Sequence, residues 1–115
     1  MDDVSPPIAR TPEPPYTAVI FTSTRTPGDH GYGRMSARMD QLAREQPGYL
    51  GHESAHEDTL GLTVSYWVDR DAAAAWKRMA EHLAAQERAR STWCADYTVR
   101  VATVEHDYRK PTRED

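Results

Sequence analysis

The sequence predicts an α+β fold: a ferredoxin-like β-α-β-β-α-β chain whose two helices pack on one face of a four-stranded antiparallel sheet. Three observations predict it. Four stretches are rich in β-branched and aromatic residues. Two stretches carry apolar residues at helical spacing, and they fall after the first and third of those strands. The chain has 115 residues, which is one domain's worth and too few for two separate cores.

Each element can be justified in order. The segment "YTAVIFTSTR" (16–25) reads as a strand by composition. "TPGDHGYG" breaks it and supplies a turn and a helix N-cap region. "RMSARMDQLAREQ" places Met35, Met39 and Leu42 on one helical face and stops at "PGYLG". "YLGHESAHE" and "LGLTVSYWV" form a hairpin through Asp58 and Thr59. "DRDAAAAWKRMAEHLAAQERAR" is a second helix, opened by an aspartate and running to about Arg90. "DYTVRVATVEHDY" is the last strand.

The ordered domain is expected over 16–108. Residues 1–15 hold five of the eight prolines and read as a disordered or extended arm, and 109–115 form a charged tail. The strands alternate, but both sets are partly apolar: Ala18 and Ile20 against Val19 and Phe21, Leu62, Val64 and Tyr66 against Trp67. A sheet covered once by helices should be polar on its bare face. A second copy of the chain, sheet against sheet, is therefore the expected cover, giving a homodimer.

Bulk properties exclude several partners. The formal charge of −4 gives no basic face for nucleic acid or an anionic membrane. No apolar run approaches the roughly 20 residues that span a bilayer, and the N-terminus lacks the apolar core of a secretory signal. Cys94 is the only cysteine, so neither an intrachain disulfide nor a thiolate metal cluster is expected. These features together predict a cytoplasmic protein.

The chemistry-bearing candidates gather on the second helix. Trp76, Ala80 and Leu83 form the face that meets the sheet, and Met79, His82 and Gln86 follow on a neighbouring stripe at its edge. A pocket between helix and sheet would be walled by Tyr66, Trp76, Met79 and Trp93, with His82 as proton acceptor and Gln86 beside it. Alternatively, His82 merely finishes the core edge. His52 and His56 lie four residues apart on a strand, roughly 13 Å, too far to share an ion, and no motif has metal-ligand spacing. No metal is expected. "PGDHGYG" lacks the residues of a phosphate-binding loop.

The blocks "QPGYLGHESA", "GLTVSYWVDRDAAAAWKRMAEHLAAQ" and "WCADYTVRVATVEHDY" resemble the antibiotic biosynthesis monooxygenase family, whose members are dimeric α+β barrel proteins. The resemblance covers 16–108. It implies a ferredoxin-like protomer, a sheet-to-sheet homodimer and a pocket for a small hydrophobic molecule. It also implies an oxygenase of phenolic or quinonoid metabolites working without a cofactor, with His82 as base, Gln86 and Tyr97 as hydrogen-bonding partners, and Trp76 and Trp93 as the wall.

Two departures qualify the carry-over. The known chemistries of the family use an active-site asparagine, and this sequence has none. Haem-degrading members ligate iron through a histidine ten residues after a tryptophan, and ten residues after Trp76 stands Gln86. Haem ligation by His82, one turn earlier, is the alternative reading. A non-catalytic dimeric ligand-binding module is the third.

Overall fold

The computed structural model describes residues 8–25, 32–86 and 94–111. The elements run β1 (Tyr16–Arg25), α1 (Tyr32–Arg44), β2 (Tyr49–Glu57), β3 (Leu60–Trp67), α2 (Arg70–Gln86) and β4 (Cys94–Val104). The strand order across the sheet is β2-β3-β1-β4, with every neighbouring pair antiparallel. This is the ferredoxin-like arrangement that the element order predicts.

Local chemistry accounts for the boundaries. Asp58 takes a left-handed φ of 59° at the β2–β3 turn, a conformation that aspartate tolerates better than most residues. The Asp69 carboxylate accepts the Ala72 amide at 2.8 Å and caps the start of α2. The end of α1 tightens through Glu45 to Leu42 and Gln46 to Ala43, both 3.1 Å, and the Gln46 side chain also donates to the Leu42 carbonyl. The last strand starts two residues earlier and ends four earlier than the sequence suggests. Val104 pairs with Tyr16, the first residue of β1, so beyond it β4 has no neighbour to bond.

Alternation sorts the sheet into two faces. Val19, Ser65 and Trp67 face the helices, where Trp67 is fully buried and packs in a core with Ala43 and Ala73. The opposite face carries Ala18, Ile20, Leu62, Val64 and Tyr66. One end of that face is covered by residues 8–15. The Ala9 amide donates to Glu53 Oε2 at 2.9 Å, and Tyr66 donates to Glu53 Oε1 at 2.7 Å. The Tyr16 hydroxyl donates to the Asp107 carboxylate and accepts from Thr11. Phenol rings 16 and 66 meet edge to face at 5.9 Å. At the other end Leu60 and Leu62 stay 52% and 44% exposed. No described helix is long and apolar enough to cross a membrane.

Candidate functional site

The helix-covered face holds a connected set of rings. Trp67, at the end of β3, has its indole N–H satisfied by Ser65 Oγ at 2.9 Å. Trp76 from α2 lies nearly flat on it, with centroids 5.8 Å apart and planes 20° apart. Tyr49 from β2 meets Trp67 edge-on at 5.6 Å. Such stacked and T-shaped pairs add to the plain burial of area.

A backbone irregularity decides where β2 points its first side chains. Tyr49 pairs with Trp67, but Gly51 pairs with Tyr66, so Leu50 is an extra residue in the ladder. A bulge of this kind shifts the phase of the strand by one. Tyr49 and His52 are three apart in sequence and would face opposite sides of a regular strand. Here both face the helices, and the Tyr49 hydroxyl bonds His52 Nδ1 at 2.6 Å. On its other side His52 Nε2 lies 3.8 Å from the Asp40 carboxylate of α1. Burial pushes the Tyr49 phenol above its ordinary range, opposed by the Arg44 guanidinium.

Gly48 sets how closely α2 approaches this cluster. Its φ of +86° suits glycine alone, and a Cβ there would stand 2.6 Å from Ala72 Cβ and 2.8 Å from Val68 Cγ1. Its carbonyl accepts the Val68 amide at 2.8 Å. Beside it, Gln46, Pro47, Val68, Ala72 and Trp76 line an open hollow of about 340 Å³.

The residues singled out from sequence divide sharply. Trp76 is half-buried in the ring stack. Tyr97 on β4 is half-buried on the same sheet face, its ring 5.7 Å from Phe21. Tyr66 is not part of this wall. It neighbours Trp67 in β3 and so points to the opposite face, where burial and its bond to Glu53 push its phenol upward. His82 is exposed. The buried stripe of α2 is centred on Ala73, Trp76 and Leu83, and at 100° per residue His82 lies roughly 120° round from Trp76. Met79 is likewise 41% exposed. The Gln86 side chain and Trp93 lie outside what the structure describes.

Tyr49, His52 and Asp40 were not singled out as a unit from the sequence. The usable signal was Gly51, since a glycine inside a strand marks a bulge. Among the described residues, no group of three or more histidine, cysteine or acidic side chains is placed to hold a metal ion.

Comparison with known proteins places the chain. It is 52% identical over 99 residues to a Bacillus subtilis (strain 168) protein described as uncharacterized protein YqjZ, covering 85% of this chain and 87% of that relative. Its fold matches that of SnoaB, a cofactor-independent oxygenase from Streptomyces nogalater, with a TM-score of 0.64 at 17% identity over 86% of this chain and 100% of the other. PA3566 from Pseudomonas aeruginosa superposes with a TM-score of 0.59 at 18% identity, over 83% and 97% of the two chains. The model of the family described as antibiotic biosynthesis monooxygenase matches residues 15–88. This chain is a member of the antibiotic biosynthesis monooxygenase family.

Proposed function

We propose that the protein is a small cofactor-independent monooxygenase acting on a hydrophobic phenolic or quinonoid metabolite bound at the hollow between the start of α2 and the 46–48 loop, where Asp69 and Asp71 edge an otherwise largely apolar lining. The observation that carries this reading is the flat aromatic surface of Trp76 on Trp67, half-open to solvent beside an apolar hollow. A planar ring system gains most from such a wall. Family membership, and the fold shared with a protein described as a cofactor-independent oxygenase, support the reaction class.

The chemistry needs no resident group. An electron-rich phenol loses a proton, its anion passes one electron to O₂, and the two radicals recombine as a hydroperoxide. Loss of water then leaves a carbonyl: a ring CH₂ becomes C=O while O₂ is reduced to the inserted oxygen and one water. The four electrons come from the substrate. The chain contributes a dry aromatic wall. Tyr97 pairs with Ser23, six residues along β1 from the Thr17 that pairs with Trp67, so at strand rise it lies roughly 20 Å from that wall and takes no part. His82 is exposed on α2 and has no part in this reading. Haem binding, which depended on that histidine, gains no support.

The working unit is a sheet-to-sheet homodimer. The exposed Leu60 and Leu62, continuous with Ile20 and Val64, form the apolar part of the face left uncovered by residues 8–15. Oxygen-electrode assays with a panel of polycyclic phenols test the activity. Substrate-dependent O₂ uptake with quinone formation, cut by Trp76→Ala, is expected. A panel that consumes no O₂ above the buffer rate refutes it. In sedimentation, Leu62→Glu should convert a dimer to a monomer.

A further inference from the structure

The Tyr49–His52–Asp40 group invites a role distinct from substrate binding, because Nδ1 of the imidazole is already bonded to a phenol and a carboxylate stands 3.8 Å from Nε2. We infer that Trp76, Trp67 and Tyr49 form a one-electron relay that ends in proton transfer to His52. The rings are consecutive neighbours: Trp76 to Trp67 at 5.8 Å and Trp67 to Tyr49 at 5.6 Å. The outer end, Trp76, lines the open hollow where a small oxidant has access. The middle ring is fully buried and cannot react with solvent. The inner end has what oxidation of a phenol requires.

A phenol that loses an electron becomes a very strong acid, so a tyrosine is oxidised readily only when a base already accepts its hydrogen bond. His52 Nδ1 stands 2.6 Å from the Tyr49 oxygen. The Asp40 carboxylate, 3.8 Å from Nε2, favours the tautomer with the proton on Nε2, which leaves Nδ1 as the acceptor. Once protonated, the imidazolium and Asp40 become an ion pair. The Asp40 side chain is 40% exposed, so the proton has a route to water. Arg44 is the cation near the phenol, and it favours loss of the proton.

The balance is closed. A peroxyl radical in the hollow takes one electron from Trp76 and is reduced to the hydroperoxide anion; in the photochemical test the acceptor is Ru(III), reduced to Ru(II). Trp67 refills Trp76, and Tyr49 refills Trp67. The Tyr49 proton moves to His52 Nδ1, leaving a neutral tyrosyl radical, an imidazolium and two restored indoles. A small-molecule thiol or ascorbate returns the electron to Tyr49. In an enzyme that generates substrate and oxygen radicals, this path would draw a stray hole away from the pocket. That use rests on the oxygenase reading; the relay does not.

The test therefore uses a photochemical oxidant and no substrate. Tyr108, 85% exposed, is first replaced in a Tyr108→Phe background so that it does not compete. Flash photolysis with a ruthenium polypyridyl complex and persulfate is followed by freeze-trapping and electron paramagnetic resonance, with ring-deuterated tyrosine to identify the radical. A tyrosyl radical that forms more slowly in D₂O is expected. Tyr49→Phe, which keeps the ring packing, should remove most of that signal and leave a tryptophan-centred radical. His52→Gln should slow its formation about tenfold, a barrier change well within what a lost proton acceptor produces. Tyrosyl yield unaltered by Tyr49→Phe, or a radical that stays on tryptophan in the parent, overturns the relay. Loss of the radical with O₂ uptake intact separates this result from failure of the oxygenase reading.

Discussion

Replacing Gly48 with alanine is the most exposed test of how α2 is seated. The added methyl would sit 2.6 Å from Ala72 Cβ and 2.8 Å from Val68 Cγ1, when carbon atoms rest comfortably about 3.5–4.0 Å apart. The Val68 methyl can rotate aside, but Ala72 Cβ is fixed to the helix backbone, so the helix start itself must move by about 1 Å. Two costs add. An L-residue at a left-handed φ costs roughly 1–2 kcal/mol, and overpacking costs typically 1–3 kcal/mol. Together they give about 2–5 kcal/mol, a large fraction of the roughly 5–15 kcal/mol that holds an ordinary domain together. For a domain of this size that lowers Tm by at least about 8 °C. Urea unfolding followed by tryptophan fluorescence measures it, because Trp67 and Trp76 report on the stack. Gly61→Ala is the internal control: its Cβ would meet Ser23 Oγ at an ordinary 3.5 Å. If Gly48→Ala unfolds at the same urea midpoint as Gly61→Ala, the reasoning about this contact is wrong.

Other outcomes follow from the same geometry. Ser65→Ala strips the acceptor from the buried Trp67 N–H and should cost about 1–3 kcal/mol by urea titration; a neutral result would mean another acceptor is reached. His82→Ala should leave stability within about 0.5 kcal/mol, since the ring is exposed, and should leave O₂ uptake intact. Tyr16, Tyr49 and Tyr66 all have phenols raised by burial, so the folded state holds those protons where the unfolded chain, near pH 10, begins to release them. Their stabilising contribution is complete below about pH 10 and is lost as pH climbs through the higher folded values. Urea midpoints paired with phenolate absorbance across that alkaline range check the sign.

Much of the fold was legible because its signals are local. The β-branched run from Tyr16 to Arg25, the aspartate opening α2 and the two-residue Asp58–Thr59 turn each act over a few residues. The site was less legible, for two physical reasons. Ala72 to Ala75 are four alanines in a row, so the opening turn of α2 gives no phase to its apolar stripe. Spacing from Trp76, Ala80 and Leu83 sets His82 beside the core, whereas burial of Ala73 and Leu83 turns it outward. In β2, an even count from Tyr49 assigns His52 to the wrong face unless the extra residue at Leu50 is recognised. Tyr66 was misplaced more simply: it alternates with Trp67, and only one of the two can meet α2. The contacts of Ala9 with Glu53 and of Thr11 with Asp107 join residues 44 and 96 positions apart, and no local pattern announces them.

The irregularity at Leu50 makes the opening of β2 behave like a reading frame. Substituting any one side chain there alters a contact, but deleting the single codon for Leu50 would straighten the ladder and leave Tyr49 and His52 two residues apart on one face. Tyr49 would stay opposite Trp67, and His52 would stay opposite Ser65 with its phenol still beside it. A regular strand of the present length would instead turn Tyr49 to the opposite face, so the third ring of the stack depends on where the extra residue is absorbed.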